Sequence, residues 1–308
     1  MLHSRATIYF DEVAKRGSIR GASEALHIAP SAVDRQILML EQHLGVPLFD
    51  RLPHGLRLTS AGELLVDYVR RWRRDTDRVQ TQIDDLRGLR RGKVTMAVVE
   101  GAIDFFSRCL KTFHNGYGAI EHAVTVSGSQ AVIDALLAGT AEVGLTFNPP
   151  DTAALRIEHT LIYQMGLVVP PGHELAQRGQ ARLIDCLEYP LVVPESTISL
   201  RAIIDEAWSR SVGEPLRPTV TASSIGLMKS LVLNRLGVGL LTSMDVYTEV
   251  KSGALVFIPL QEKIPLSVLA LATASGRRLS APATLLVKQI AATMATEETP
   301  VADRLPSE

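Results

Sequence analysis

Cysteine is scarce in this chain, with only Cys109 and Cys186 among 308 residues. A single pair at that separation fits no metal-ligand spacing, and it reads as two free thiols packed in the interior rather than a redox pair or a disulfide framework. Long apolar runs are missing too. No segment approaches the ~18 consecutive residues that a bilayer-spanning helix needs. The opening Met1-Leu2-His3-Ser4-Arg5 has no apolar stretch of the kind a secretory leader carries. A cytoplasmic protein with no membrane partner is expected. Catalytic signatures are lacking as well: there is no G-x-S-x-G, no H-E-x-x-H and no phosphate loop. The eight histidines are dispersed and form no readable dyad. Gly237 and Gly239 have no G-x-G-x-x-G continuation, so they read as a helix stop and a strand start. The expectation is a protein that is not an enzyme, with no catalytic residue, no metal and no cofactor.

The chain does carry a charge asymmetry hidden under a net charge of -1. Residues 1–92 hold 15 Lys/Arg against 12 Asp/Glu, and the remainder holds 17 against 21. A basic N-terminal part on an acidic remainder is compatible with nucleic-acid binding, weakly so by itself. Of those 15 basic residues, 14 are arginine, the side chain that forks onto phosphates and guanine edges.

Three short helical patterns open the sequence. The first, 6–15, has Ile8, Tyr9, Phe10 and Val13 as its apolar set and stops at Gly17. Ser18 reads as the N-cap of a second, 19–26, burying Ile19, Ala22 and Leu26. His27-Ile28-Ala29-Pro30 leaves room only for a tight turn. A third helix runs over 31–44, with Val33, Ile37, Leu40 and Leu44 as its buried stripe and Gly45 as its end. Two helices joined by about four residues are the spacing of a helix-turn-helix, whose second helix places its N-terminal residues at base edges in the major groove. The outward face of that helix carries Ser31, Asp34, Arg35 and Leu38. A small hairpin over 52–59, turning at Pro53-His54-Gly55, reads as a wing, with Arg51 and Arg57 placed to meet phosphates or the minor groove. The expected DNA-binding set is therefore Pro30, Ser31, Asp34, Arg35, Arg51 and Arg57.

About 60 contiguous positions here, with the right gaps, resemble the LysR-type transcriptional regulators. The residues that carry the resemblance are Ser18-Ile19-Arg20-Gly21-Ala22-Ser23-Glu24-Ala25-Leu26-His27-Ile28, Ala32-Val33-Asp34-Arg35-Gln36-Ile37, Leu40-Glu41 with Leu44-Gly45-Val46-Pro47-Leu48-Phe49 and Arg51, and Leu58-Thr59 with Ala61-Gly62. Two positions depart from the family pattern. Ala29-Pro30-Ser31 stands where relatives most often have Ser-Gln-Pro, and Asp34 stands where they often have Ser. Asp34 has three readings: the far end of a Ser31-x-x-Asp34 capping box, an acceptor for a cytosine amino group, or a solvated side chain.

Thr59 reads as the cap of a long helix reaching about residue 89. Leu65, Tyr68, Trp72, Thr76, Val79, Ile83 and Leu86 form a narrow seam with charged flanks, the pattern of a coiled coil more than of a core helix. Residues 88–92 read as a hinge. From Lys93 onward strands and helices alternate, which indicates a mostly parallel α/β sheet. Strands are expected at 94–99, 123–126, 142–147, 161–169, 191–193, 219–222, 238–241, 256–259 and 266–272. Helices are expected from Gly101 to about 113, then at 130–138, 200–211, 225–236 and 281–294.

Two such lobes are similar to the effector domain of the same family, which resembles periplasmic solute-binding proteins. The implied fold is an N-terminal all-α winged helix-turn-helix with a long linker helix, followed by a C-terminal α/β two-lobed periplasmic-binding-protein-like domain. The expected boundaries are 1–62, 63–92 and 93–308, with lobe I at about 93–160 and 268–300 and lobe II at about 161–267. Ligands of open sheets lie outside the carboxyl ends of strands, near helix N-termini. That rule selects Glu100, Gly101, Ala102, Ser127, Ser129, Phe147, Ser196, Thr197 and Ser223 as effector-binding candidates. Glu100 is the unusual one, because relatives place a small polar residue near here. Either it meets a donor or cationic group of the ligand, or it turns to solvent.

The leading function is a ligand-responsive DNA-binding transcriptional regulator. Its implied partners are a double-stranded DNA operator, a small-molecule effector and further copies of itself as a homodimer or homotetramer, with RNA polymerase as an additional candidate. Two alternatives remain open at this point. One is a solute-binding protein, which leaves residues 1–90 unexplained. The other is a non-catalytic DNA-binding protein with no small-molecule effector.

Overall fold

The computed structural model describes residues 5–52, 55–86 and 92–297, and the chain divides into two compact units, Met1–Gln80 and Thr81–Glu308. The first unit contains α1 (Arg5–Arg16), α2 (Ile19–Leu26), α3 (Pro30–Leu44), the antiparallel strands β1 (Phe49–Leu52) and β2 (Gly55–Leu58), and the start of α4 (Ser60–Leu86). Its breaks follow local chemistry. Gly17 (φ 66°) and Gly45 (φ 72°) end helices in the left-handed region, and Ser18 Oγ accepts the Gly21 amide at 3.1 Å. His27, at φ 54°, is the left-handed cap that turns the chain out of α2. The core gathers Phe10, Val13, Ala22, Val33, Ile37, Leu40, Leu48 and Phe49, with the Phe10 and Phe49 rings 5.3 Å apart. Ile8, expected among the apolar set, is exposed, and Ala6 and Thr7 are buried in its stead. The helix turns it away from α2 and α3.

The hairpin starts three residues earlier than the turn residues suggest, at Phe49, and residues 53–54 of its expected turn lie outside the described residues. It is tied to the helices at named points. Glu41 Oε1 accepts the Leu48 and Phe49 amides at 2.7 and 3.2 Å, and the Leu56 amide donates to the Gly17 carbonyl at 2.7 Å. Thr59 donates to the Pro47 carbonyl and accepts the Gly62 amide at 3.1 Å, capping α4 as expected. Gly62 lies so close to the β1 approach that a Cβ there would stand 2.2 Å from the Leu48 carbonyl oxygen. Since that obstacle is backbone, Gly62→Ala should push α4 off the hairpin and destabilise this unit by about 2–3 kcal/mol. Unchanged chemical denaturation would show that the junction yields more easily than this contact implies.

In α4, Leu65, Val66 and Val69 join the helix-turn-helix core, so Leu65 is a core residue and not a seam residue. Tyr68 and Leu64 are exposed. The seam side chains expected at Val79, Ile83 and Leu86, and residues 88–91 of the expected hinge, lie outside what the structure describes.

The second unit holds two five-stranded sheets. In chain order its elements are β3 (Gly92–Val98), α5 (Ile103–Gly116), β4 (Ile120–Val126), α6 (Ser129–Ala138), β5 (Val143–Phe147), β6 (Leu155–Tyr163), β7 (Met165–Val169), β8 (Leu191–Pro194), α7 (Leu200–Ser211), β9 (Val220–Ala222), α8 (Ile225–Leu233), β10 (Val238–Thr242), α9 (Tyr247–Lys251), β11 (Val256–Pro259), β12 (Ser267–Ala274) and α10 (Ala281–Glu297). The sheets run β4-β3-β5-β12-β6 and β11-β7-β10-β8-β9. Both are mixed, not mostly parallel. β4, β3 and β5 are parallel, as are β10, β8 and β9, whereas β12, β6, β7 and β11 pair antiparallel. The strand that runs against the rest of each sheet is the one at which the chain enters that lobe from the other, β7 in one sheet and β12 in the other.

The apolar run expected as one strand at 161–169 is two strands in different sheets, broken at Gln164, whose carbonyl accepts the Ser243 amide. An apolar run reports burial and does not say which sheet buries it. Each lobe has its own core. One centres on Phe105, Phe113, Met96 and Leu145, the other on Trp208, Leu167, Val193 and Met228.

Candidate DNA interface and inter-lobe cleft

α3 begins without a side-chain cap. Ala29 is the N-cap and Pro30 takes the first helical turn, where a missing N–H costs nothing. Ser31 therefore lies inside the helix, and the Ser31–Asp34 capping box, one of the three readings of Asp34, is not formed. Asp34 instead accepts a hydrogen bond from Arg51 Nη2 at 2.9 Å, which joins α3 to the hairpin. Both side chains are partly exposed, so the pair contributes orientation more than stability. Arg57 pairs with Asp50 at 3.2 Å along the hairpin. Arg35, exposed on the outer face with Ser31 and Leu38, has no carboxylate partner among the described residues. Of the six candidates, Arg35 offers an unengaged cation, and Arg51 and Arg57 offer cations already held by a neighbour.

The two lobes enclose a cleft of about 230 Å³. Six of the nine effector candidates line it: Glu100, Gly101, Ser127, Ser129, Phe147 and Ser223. Ala102 is fully buried in the core, and Ser196 and Thr197 are exposed on the approach to α7 without lining the cleft. The wall also includes Ile198 and Ser199, which continue the expected Ser196-Thr197 run before α7, and Thr242, Asp245 and Ser267, which the sequence did not select. The carboxyl-end rule, applied to β10, would have reached Thr242 and Asp245.

Glu100 neither turns to solvent nor waits for a ligand. It stands at the end of β3 and reaches across to the N-terminus of α8. One oxygen accepts from the Ser224 hydroxyl at 2.8 Å and the Gly226 amide at 3.0 Å, and the other accepts from the Ile225 amide at 2.9 Å. A carboxylate on three donors at a helix start is the arrangement that the unsatisfied amides and the helix dipole favour. Ser224 Oγ also accepts the Leu227 amide, so the capping serine and the glutamate act together.

Asp245 is the second carboxylate, only 5% exposed. Its Oδ2 accepts from both the amide and the hydroxyl of Thr242 at 2.8 Å. Burial raises its pKa from the ordinary 3.8 to about 6. The Thr242 bonds and Lys229 pull downward, and Glu100 pushes upward. The folded chain thus holds this proton more tightly than the unfolded chain does. The stability Asp245 allows therefore falls as pH rises from about 4 to about 6, and stays low above that. Asp245→Asn keeps an acceptor for both Thr242 bonds and removes the charge. It should stabilise the protein by roughly 1–3 kcal/mol near pH 8 and leave it unchanged near pH 4. Equal melting shifts at the two pH values would refute the charge as the source of the cost.

The thiols are inert by environment. Burial pushes Cys109 up to about 11 and Cys186 up to about 12, leaving almost no thiolate near neutrality.

Two family models match the chain. The one described as a bacterial regulatory helix-turn-helix protein of the lysR family covers residues 5–63, and the one described as a LysR substrate binding domain covers residues 87–295. Among curated proteins, the HTH-type transcriptional activator CmpR of Synechocystis is 24% identical over 252 residues, spanning 82% of this chain and 83% of CmpR. Among solved structures, full-length CbnR complexed with its target DNA superposes with a TM-score of 0.70 at 18% identity, covering 94% of this chain and 99% of CbnR. The CcmR regulatory domain of Synechocystis, solved in complex with 2-PG, superposes with a TM-score of 0.59 at 17% identity, covering 66% of this chain and 98% of that domain. At these identities the structural likenesses speak to fold.

Proposed function

We propose, from the premise that this chain belongs to the LysR family of bacterial helix-turn-helix regulators, how its own residues divide the work of a ligand-responsive transcriptional regulator. Residues 1–62 read DNA through the outer face of α3 and through the hairpin, with Arg35 at base edges and Arg51 and Arg57 at the backbone. Residues 63–92 join two copies. The exposed Leu64 and Tyr68 on α4 support that pairing, and a dimer would present two recognition helices to a two-fold-related operator. Residues 93–308 sense a small molecule between the lobes, with Gly101, Ser127, Ser129, Phe147 and Ser223 in the wall. The protein acts in the cytoplasm by binding and not by turnover, and RNA polymerase is the partner through which bound protein would alter transcription.

The observation that carries this division is the Glu100 clasp. The Glu100 side chain ties one lobe to the other across the cleft, alongside a Thr248–Asp104 hydrogen bond at 2.6 Å between α9 and α5, so whatever enters the cleft acts on the relation between the lobes. The test is a mobility shift with DNA from upstream of the chain's own gene, titrated with salt. Binding that weakens steeply with salt and saturates at two chains per site is expected. Salt-insensitive or absent binding would refute the assignment of residues 1–62.

A further inference from the structure

The cleft contains two carboxylates and no cationic side chain among its described lining residues. The two carboxylates differ in a way that decides what can bind. Glu100 is fully used: its oxygens take three hydrogen bonds from the start of α8, so a ligand carboxylate finds that helix end already filled by one. Asp245 is half used. Both Thr242 bonds fall on Oδ2, and no hydrogen bond from a described residue reaches Oδ1. Although the residue is buried, Oδ1 is not sealed in, and Asp245 lines the cleft. The nearby cation is committed elsewhere, since Lys229 pairs with Glu249 at 2.7 Å. Gly101 packs beside this oxygen, and any side chain there would cover it, because a Cβ would stand 2.3 Å from Oδ1. Facing the same cleft, α6 starts without a side-chain cap. Its first return bond is Val132 to the Gly128 carbonyl, which leaves the Ser129, Gln130 and Ala131 amides without a backbone acceptor among the described residues.

Resting on the reading of this cleft as the effector site, we propose that the effector is a small molecule carrying a protonated amine, which Asp245 Oδ1 receives. The amides at the start of α6 and the Ser129 hydroxyl take any acceptor group the molecule also brings. A buried carboxylate with one unpaired oxygen is costly until a donor arrives, and an ammonium supplies both the donor and the opposite charge. An anion placed there would meet like charge from Asp245 and Glu100, with no cationic side chain among the described lining residues to offset it. The modest volume admits a compact amine and disfavours a large one.

Calorimetry on the full chain would use three sets of probes: the twenty α-amino acids, the short linear monoamines and diamines, and amine-free counterparts (lactate, glycerate, succinate and inorganic phosphate). At least one amine should bind while its amine-free counterpart does not. Asp245→Asn should weaken that amine about tenfold or more, and Ser223→Trp, which fills the cleft from the other lobe, should abolish binding. Binding by an amino acid but not by the matching simple amine would assign the acceptor role to α6, and the reverse would leave Asp245 as the sole anchor. The proposal fails if no amine binds, if Asp245→Asn leaves the amine's affinity unchanged, or if lactate, glycerate, succinate or phosphate binds in a Ser223→Trp-sensitive way while no amine does. In that last case the cleft remains the effector site and only the ligand class is wrong. Amine binding that survives Ser223→Trp would overturn the cleft reading itself.

Discussion

Replacing Glu100 with alanine should loosen the coupling between the two lobes and lower the melting temperature of the second unit by about 5–10 °C. The size follows from what is removed. Three hydrogen bonds of 2.8–3.0 Å end on this one carboxylate, and bonds to charged groups contribute about 1.5–3 kcal/mol each when the partner is left without a substitute. The α8 amides are only partly buried, and water replaces some of the loss, so a total of about 2–4 kcal/mol is expected. For a unit of this size each kcal/mol moves the midpoint by roughly 2–4 °C. Hydrogen exchange gives a local readout: the Ile225 and Gly226 amides should lose protection while the buried strands β8 and β10 keep theirs. Glu100→Gln should fall in between, because its amide nitrogen cannot accept. Glu121→Ala is the control. It removes a 2.6 Å pair with Lys93 in which both side chains are more than half exposed, and such pairs contribute about 0–1 kcal/mol. If Glu100→Ala shifts the midpoint no more than Glu121→Ala does, the clasp does not hold the lobes together.

Glu100 also marks the limit of what the sequence discloses. Its oddity is visible in the chain, and its location at the end of the first strand follows from periodicity. Its partners lie 124–126 residues away, and no local pattern reports a contact of that range. The same limit accounts for the two carboxylates of the cleft being read unequally. Asp245 follows β10, a strand recognised from its apolar run, but its burial comes from packing against Gly101, which is remote in sequence.

The helix-turn-helix is legible nearly to the residue because its signals are local: the Ser18 cap, the glycine stops at Gly17 and Gly45, and the stripe Val33, Ile37, Leu40. Where two local signals compete, the local pattern does not decide between them. Ser31-x-x-Asp34 has the form of a capping box, yet Pro30 fits the first helical position and moves the helix start one residue upstream. That leaves Asp34 free to meet Arg51. The division of 161–169 between two sheets, and the mixed strand directions, depend on long-range crossings that the apolar pattern does not encode.

The freedom of Arg35, set against the engagement of Arg51, leads to the second large effect. Ser31, Arg35 and Leu38 lie along one exposed face of α3, in the half that a recognition helix presents to base edges. An arginine with no carboxylate partner among the described residues can fork onto a guanine without first giving up an ion pair, a contact that contributes about 1–3 kcal/mol of discrimination. Arg35→Ala should therefore weaken operator binding about 10–100-fold at each half-site and relax preference at one base position. Arg51 must loosen its 2.9 Å pair with Asp34 to reach DNA, so Arg51→Ala should cost less, with similar losses on operator and unrelated DNA. Asp34→Ala should do the opposite. By freeing Arg51 and removing a negative charge from the interface, it should tighten binding to unrelated DNA and steepen the salt dependence. Fluorescence anisotropy with operator and scrambled duplexes at several salt concentrations separates these outcomes. Equal losses for Arg35→Ala on both duplexes would move Arg35 from base recognition to backbone contact, and no loss on either would remove it from the interface.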